Sequence, residues 1–252
     1  MIRAVHMEWT KLRTVQSTLW SIAAMLGFSV GLGAFVLWGL SGPCEPDCSE
    51  DAAQLSLAGV YLGQMAVVAV AALAMTSEYD TMMVRTTLAA CPRRLTVLAA
   101  KAGVVTAVVL VAGAVSVLGS FAASRGILPG TRYPQLSLAD EPTLRAFAGT
   151  VLYLGLIALL SLGVAAMVRH TGGAISVVLA LLYVLPIMAQ FVTPPWNVRI
   201  VKYAPMTAGL AIQATRNLDH LPIPPWQGLG ILAAYAALAL AGGALLFHAR
   251  DA

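Results

Sequence analysis

Residues Thr76–Lys101 read TSEYDTMMVRTTLAACPRRLTVLAAK. Six formal charges, Glu78, Asp80, Arg85, Arg93, Arg94 and Lys101, fall within these 26 residues, although only 10% of the 252-residue chain is charged. On either side the sequence is apolar over the length of a bilayer-spanning helix, which needs about 20 residues for a hydrocarbon core about 30 Å thick. That contrast decides the fold. The charged stretch stays in water, between two helices that enter lipid.

Working outward, six apolar runs have spanning length: 18–40, 55–75, 102–124, 146–168, 173–192 and 227–248. The chain is 59% hydrophobic with a mean hydropathy of +0.82, against about 45–50% apolar in soluble domains. The runs do not alternate as barrel strands do. The expected fold is therefore all-α: a polytopic membrane protein of six transmembrane helices, with residues 1–252 forming one transmembrane domain. The first run exceeds the roughly 7–15 apolar residues of a secretory signal, and Pro43 before Cys44 does not suit a lipoprotein cleavage site. It is read as a true span.

Basic residues set the orientation. With the N-terminus inside, the inner segments carry Arg3, Lys11, Arg13, Arg85, Arg93, Arg94, Lys101, Arg169 and Arg250. The outer loops carry Arg125, Arg132, Arg145, Arg199, Lys202 and Arg216. The first outer loop has only acids, Glu45, Asp47, Glu50 and Asp51. Both termini are expected in the cytoplasm. The net charge of +4 then reflects attraction to an anionic lipid surface, not to nucleic acid.

Residues 1–16 are amphipathic, with Ile2, Val5, Trp9 and Leu12 at helical spacing, and predict a helix lying in the membrane interface. Glu8 and Lys11 can pair across one turn. Gly27/Gly31 and Gly59/Gly63 place small residues four apart, a spacing that lets helix backbones approach closely. Outside, Cys44 and Cys48 are candidates for a disulfide. Glu45 and Asp47 lie between them, but two thiols without histidine make a poor zinc set, so no metal site is expected.

Within Thr76–Lys101, Ser77 or Asp80 can cap a short helix through Val84, Thr87 and Leu88, which Pro92 ends. Arg93 and Arg94 then stand at headgroup level. An ordinary basic inner loop explains the arginines, but not the acids beside the apolar Met82-Met83-Val84 patch, a mixture that suits contact with a soluble protein. The external segment 193–226 is bracketed by Pro194-Pro195-Trp196 and Pro224-Pro225-Trp226. Its apolar centre, Ala204–Ala214, is too short to span and predicts a re-entrant or interfacial piece.

Catalytic signatures are absent: there is no G-x-x-x-x-G-K-[ST], H-E-x-x-H or G-x-S-x-G. No charged residue lies well inside the six runs, as ion-coupled carriers require. The polar residues within spans, Tyr61, Gln64, Tyr153, Tyr183, Gln190 and Tyr235, either line a passage or hydrogen-bond between helices. Tyr61, Gln64, Tyr153 and Gln190 are the pathway candidates.

Glu78-Tyr79, Arg85-Thr86-Thr87-Leu88, Pro92-Arg93-Arg94 and Ala99-Ala100-Lys101 together resemble the inner loop of bacterial type-2 ABC exporter permeases. Glu8-Trp9-Thr10-Lys11-Leu12-Arg13 is similar to that family's interfacial helix, and Tyr203-Ala204-Pro205-Met206-Thr207-Ala208-Gly209 to its external re-entrant region. The resemblance runs along the whole chain. It departs from the family at Met82, where glycine is frequent, and at Cys91. It implies a permease subunit in the bacterial cytoplasmic membrane, paired with a second copy or a related permease, with two cytoplasmic ATP-binding subunits docked below. Residues 76–101 would carry the coupling helix, with Glu78 and Arg85 bracing it and Arg93 and Arg94 anchoring its exit. Catalysis would belong to the partner, which would hold ATP and Mg, so this chain would be no enzyme and bind no cofactor. The alternative is a non-transporting membrane scaffold or sensor signalling through the same loop.

Overall fold

The computed structural model describes residues 2–14, 16–40, 51–80, 94–129 and 135–249, apart from the side chains of 2–4, 40, 78, 80, 94, 247 and 248. No strand occurs among the described residues. In order, the helices are α1 (Ile2–Thr14), α2 (Gln16–Leu40), α3 (Ala52–Ser56), α4 (Val60–Asp80), α5 (Arg94–Ile127) and α6 (Glu141–Val168). Then come α7 (Thr171–Leu179), a π turn (Ala180–Val184), α8 (Leu185–Ala189), α9 (Trp196–Tyr203), α10 (Pro205–Leu210) and α11 (Pro225–Ala249). Short 3-10 turns follow α10 at Ala211–Gln213 and precede α11 at Leu218–His220.

Six of these segments are long and apolar enough to cross a membrane: Gln16–Gly39, Val60–Ser77, Leu95–Ile127, Glu141–Val168, Thr171–Ala189 and Pro225–Leu246. The chain is thus an all-helical, multi-pass membrane protein. Most limits shift by a few residues from the sequence expectation, and two of the shifts have a local cause. The second crossing begins at Val60, because Asp51 caps the separate helix α3 by accepting from the Ala53 and Gln54 N–H groups. The third begins well before residue 102, because no residue between Arg94 and Lys101 breaks a helix.

The crossings are not equally buried. The central part of α6 is 67% buried and that of α2 only 22%, so α6 is the hub and α2 lies at the periphery. Tyr153, Leu154, Ile157, Leu160 and Leu162 on α6 are enclosed. Trp20, Phe35 and Trp38 on α2 face outward, each at least 65% exposed. An outward apolar face costs nothing in lipid, whereas it would be a liability in water.

Close backbone approach fixes the packing. A Cβ on Gly59 would sit 2.0 Å from the Ser29 carbonyl oxygen, one on Gly163 2.5 Å from Ala239 C, and one on Gly228 2.0 Å from the Ala208 carbonyl oxygen. These contacts seat α4 on α2, α11 on α6 and α10 on α11. Gly27 and Gly31 have nothing within 4 Å. Of the two small-residue pairs in the sequence, Gly59/Gly63 alone makes close contacts among the described residues.

Candidate functional site

The chain's two faces are tied by different chemistry. On the face that carries α1, Lys101 Nζ donates to Glu8 Oε2 at 2.5 Å and to the Ala74 carbonyl oxygen at 3.0 Å. Glu8 Oε1 accepts from Lys11 Nζ at 3.3 Å, the one-turn pair expected from the sequence. The Glu8 and Lys101 side chains are each only 3% exposed. A buried ion pair adds little net stability over an apolar filling, but it tolerates one geometry only. Here it locks α1 to α4 and α5, the two helices flanking residues 81–93.

A second brace holds the same end of α4. The Arg169 guanidinium lies 5.1 Å from the centre of the Tyr79 ring, and Thr76 Oγ1 is 2.6 Å from Thr171 Oγ1. Arg169 takes the left-handed conformation (φ 58°) at the end of α6, and His170 caps α7 by accepting from the Gly173 N–H at 3.1 Å. His170 is solvent-exposed. Ser77, read as a possible helix cap, instead lies inside α4, which runs on to Asp80.

The sequence-expected contact residues Val84, Arg85, Thr87, Leu88, Pro92 and Arg93 lie outside the described residues, as do Cys44 and Cys48. Glu78, Asp80 and Arg94 are described by backbone alone, at the facing ends of α4 and α5. The helices that deliver the charged loop are therefore defined, and both are clamped by Lys101.

The intramembrane polar residues converge on Gln64. Its carbonyl oxygen accepts from the Tyr153 hydroxyl. Its amide donates to the Tyr183 hydroxyl at 2.8 Å, to Met206 Sδ at 3.3 Å and to the Tyr61 carbonyl oxygen at 3.3 Å. Tyr183 in turn donates to the Tyr61 carbonyl oxygen. Gln64 and Tyr153 are fully buried and bond between helices, whereas Tyr61 takes part through its backbone carbonyl and its side chain is exposed. The cluster joins α4, α6, the π turn and α10. Gln190 stands apart and exposed, just after α8. Gln64→Leu is expected to cost about 1–2 kcal/mol, because it strands the enclosed Tyr153 hydroxyl. Thermal unfolding in detergent measures this.

On the opposite face, Asp51 binds the 193–226 segment. Beyond capping α3, its carboxylate accepts from the Thr215 N–H, from the Thr215 hydroxyl at 2.7 Å and from the Arg216 N–H at 3.0 Å. Arg145 Nη2 donates to the Ala214 carbonyl oxygen at 2.7 Å. Ala204, Ala208, Ile212 and Gln213 are fully buried. The apolar centre of the 193–226 segment is thus packed into the bundle as α10 and its 3-10 turn, without crossing.

Sequence reasoning missed the Glu8–Lys101 pair and the Asp51 clamp. Spacing carries no signal for contacts between residues 93 and 164 positions apart. Sequence reasoning read α1 as an interfacial helix with Ile2, Val5, Trp9 and Leu12 on one side; Val5 and Trp9 are 39% and 50% exposed, while the burial of Glu8 and Leu12 had no sequence signal.

Among the described residues no cluster of three or more His, Cys, Asp or Glu could hold a metal ion. Compared with protein-family models and with curated proteins, the chain matches none.

Proposed function

We propose that this chain is the membrane permease subunit of an ATP-driven ABC exporter, working beside a second copy or a related permease in a bacterial cytoplasmic membrane. The observation that carries the reading is the Lys101 clamp, which makes α1 and the inner ends of α4 and α5 one mechanical unit. A device that turns a push on residues 76–101 into helix movement needs that rigidity.

In this reading the α1 face is cytoplasmic, and two separate ATP-binding subunits dock beneath the two permeases. ATP and Mg reside there, and this chain performs no catalysis. Closure of the ATP-binding subunits pushes on the 76–101 loop. Lys101, Glu8 and Arg169 pass the movement to α5, α1 and the α6–α7 turn, and the pathway re-aims outward. The outward apolar face of α2 is available to lipid or to the second permease. The buried Gln64 cluster links α4 to the external α10, so movement at one face has a packed route to the other.

Co-purification tests this. When the chain is co-expressed with a candidate phosphate-loop ATP-binding subunit from the same genome, that subunit is expected to come down with wild type. Leu88→Asp and Arg85→Glu should each lower its recovery about tenfold or more, as loss of an interface anchor does, while the thermal midpoint of the chain stays unchanged. Equal recovery with wild type and both variants would refute docking at this loop and bring the scaffold reading forward.

A further inference from the structure

The external helix α9 carries cations that neither the fold nor the proposed coupling uses. None of its residues, WNVRIVKY, is buried. Trp196, Val198 and Tyr203 are each more than half exposed. At 100° per residue, Trp196, Ile200 and Tyr203 share one arc, and Arg199 and Lys202 share the adjoining arc. Arg199 lies 5.2 Å from the Trp196 ring centre and Lys202 5.7 Å from that of Tyr203. Each cation is therefore held beside an aromatic ring. Among the described residues, neither is paired with a carboxylate.

The position of α9 sets its surroundings. It follows the fifth crossing, whose end carries Phe191 at 79% exposure, and the sixth crossing opens at Trp226, 59% exposed. Ala204, immediately after α9, is fully buried within the bundle. The helix is thus pinned at the level where the crossings leave the bilayer, on the face opposite α1. Trp and Tyr favour that level, and a basic amphipathic helix lies flat there.

We infer that α9 is a binding surface for anionic phospholipid, with Arg199 and Lys202 holding the headgroup phosphate and Trp196, Ile200 and Tyr203 seated among the upper acyl chains. Two cations on the face expected to be poorer in basic residues are explained by charge complementarity to a lipid headgroup. Guanidinium and ammonium both pair with phosphate oxygens. The inference rests on the chain being a membrane protein and not on the exporter reading, so either can fail alone.

The test uses the full-length chain in mixed detergent micelles containing phospholipid with brominated chains, which quench tryptophan on contact. Subtracting the signal of Trp196→Phe from that of wild type isolates Trp196 among the five tryptophans. Brominated phosphatidylglycerol is expected to quench Trp196 at about 25-fold lower mole fraction than brominated phosphatidylcholine, since each of the two near-surface cations contributes a factor of about five. In Arg199→Gln/Lys202→Gln the two lipids should quench alike. Both side chains lie on a helix with no buried residue, so the fold survives the change, as elution volume and thermal midpoint verify. Equal quenching by the two lipids in wild type would overturn the inference. So would a phosphatidylglycerol preference that persists in the double variant, or one abolished by inorganic phosphate at constant ionic strength.

Discussion

Replacing Lys101 by methionine is expected to destabilise the folded chain by about 3–5 kcal/mol, the cost of leaving a buried charge without its partner. The stranded group is Glu8, whose side chain is 3% exposed and which then retains, among the described residues, the contact with Lys11, itself 23% exposed. The Ala74 carbonyl oxygen also loses its external donor. Glu8→Met/Lys101→Met should recover most of the loss, because two apolar side chains fill the same space without a desolvation cost. Thermal unfolding of the three proteins in one detergent measures the cycle. If the double variant is as unstable as Lys101→Met, the ion pair is not the cause and the clamp fails as an explanation. Under the proposed function, the double variant should also fold and dock its ATPase yet lose the fixed register of α1 against α4 and α5. ATP hydrolysis would continue without transport.

Gly59→Ala is the second large effect, expected to cost about 1–3 kcal/mol or more. The new Cβ would lie 2.0 Å from the Ser29 carbonyl oxygen and 2.6 Å from that of Phe28. Both are helix backbone, so no flexible side chain can swing away, and α4 must withdraw from α2. Gly31→Ala is the matched control, since nothing lies within 4 Å of that position. It should be neutral or slightly stabilising, as alanine is the better helix former by about 1 kcal/mol. Equal effects at the two positions would show that α2 and α4 do not pack backbone to backbone.

These glycines show what the sequence could and could not reveal. Both pairs have the same four-residue spacing, and only the neighbouring helix distinguishes Gly59 from Gly31. Crossings were legible because apolar length is a local property that lipid reads residue by residue. The interfacial character of α1 was legible too, but the burial of Glu8 was not. Beside a bilayer, Val5 and Trp9 can point to lipid while a carboxylate turns inward to a lysine 93 residues away. That reverses the pattern of a soluble amphipathic helix. Gln64, Tyr61 and Tyr153 were identifiable as polar residues in apolar runs. The addition of Tyr183 to this cluster was not, because it depends on a π turn that no local signal announces. The external segment sat between: its apolar centre was visible, and its anchor, Asp51, was only one acid among four in a loop.

The most direct measurement is a site-directed cross-link. With Cys44, Cys48 and Cys91 changed to serine, one cysteine is introduced at Leu88 and, in a second protein, at Thr215 on the opposite face. Each is co-expressed with a candidate ATP-binding subunit and treated in membranes with a short thiol–amine linker. The account predicts a product joining one permease to one ATP-binding subunit from Leu88→Cys alone, with a yield that changes when ATP and vanadate trap the ATPase closed. No such product, or the same product from Thr215→Cys, would contradict it.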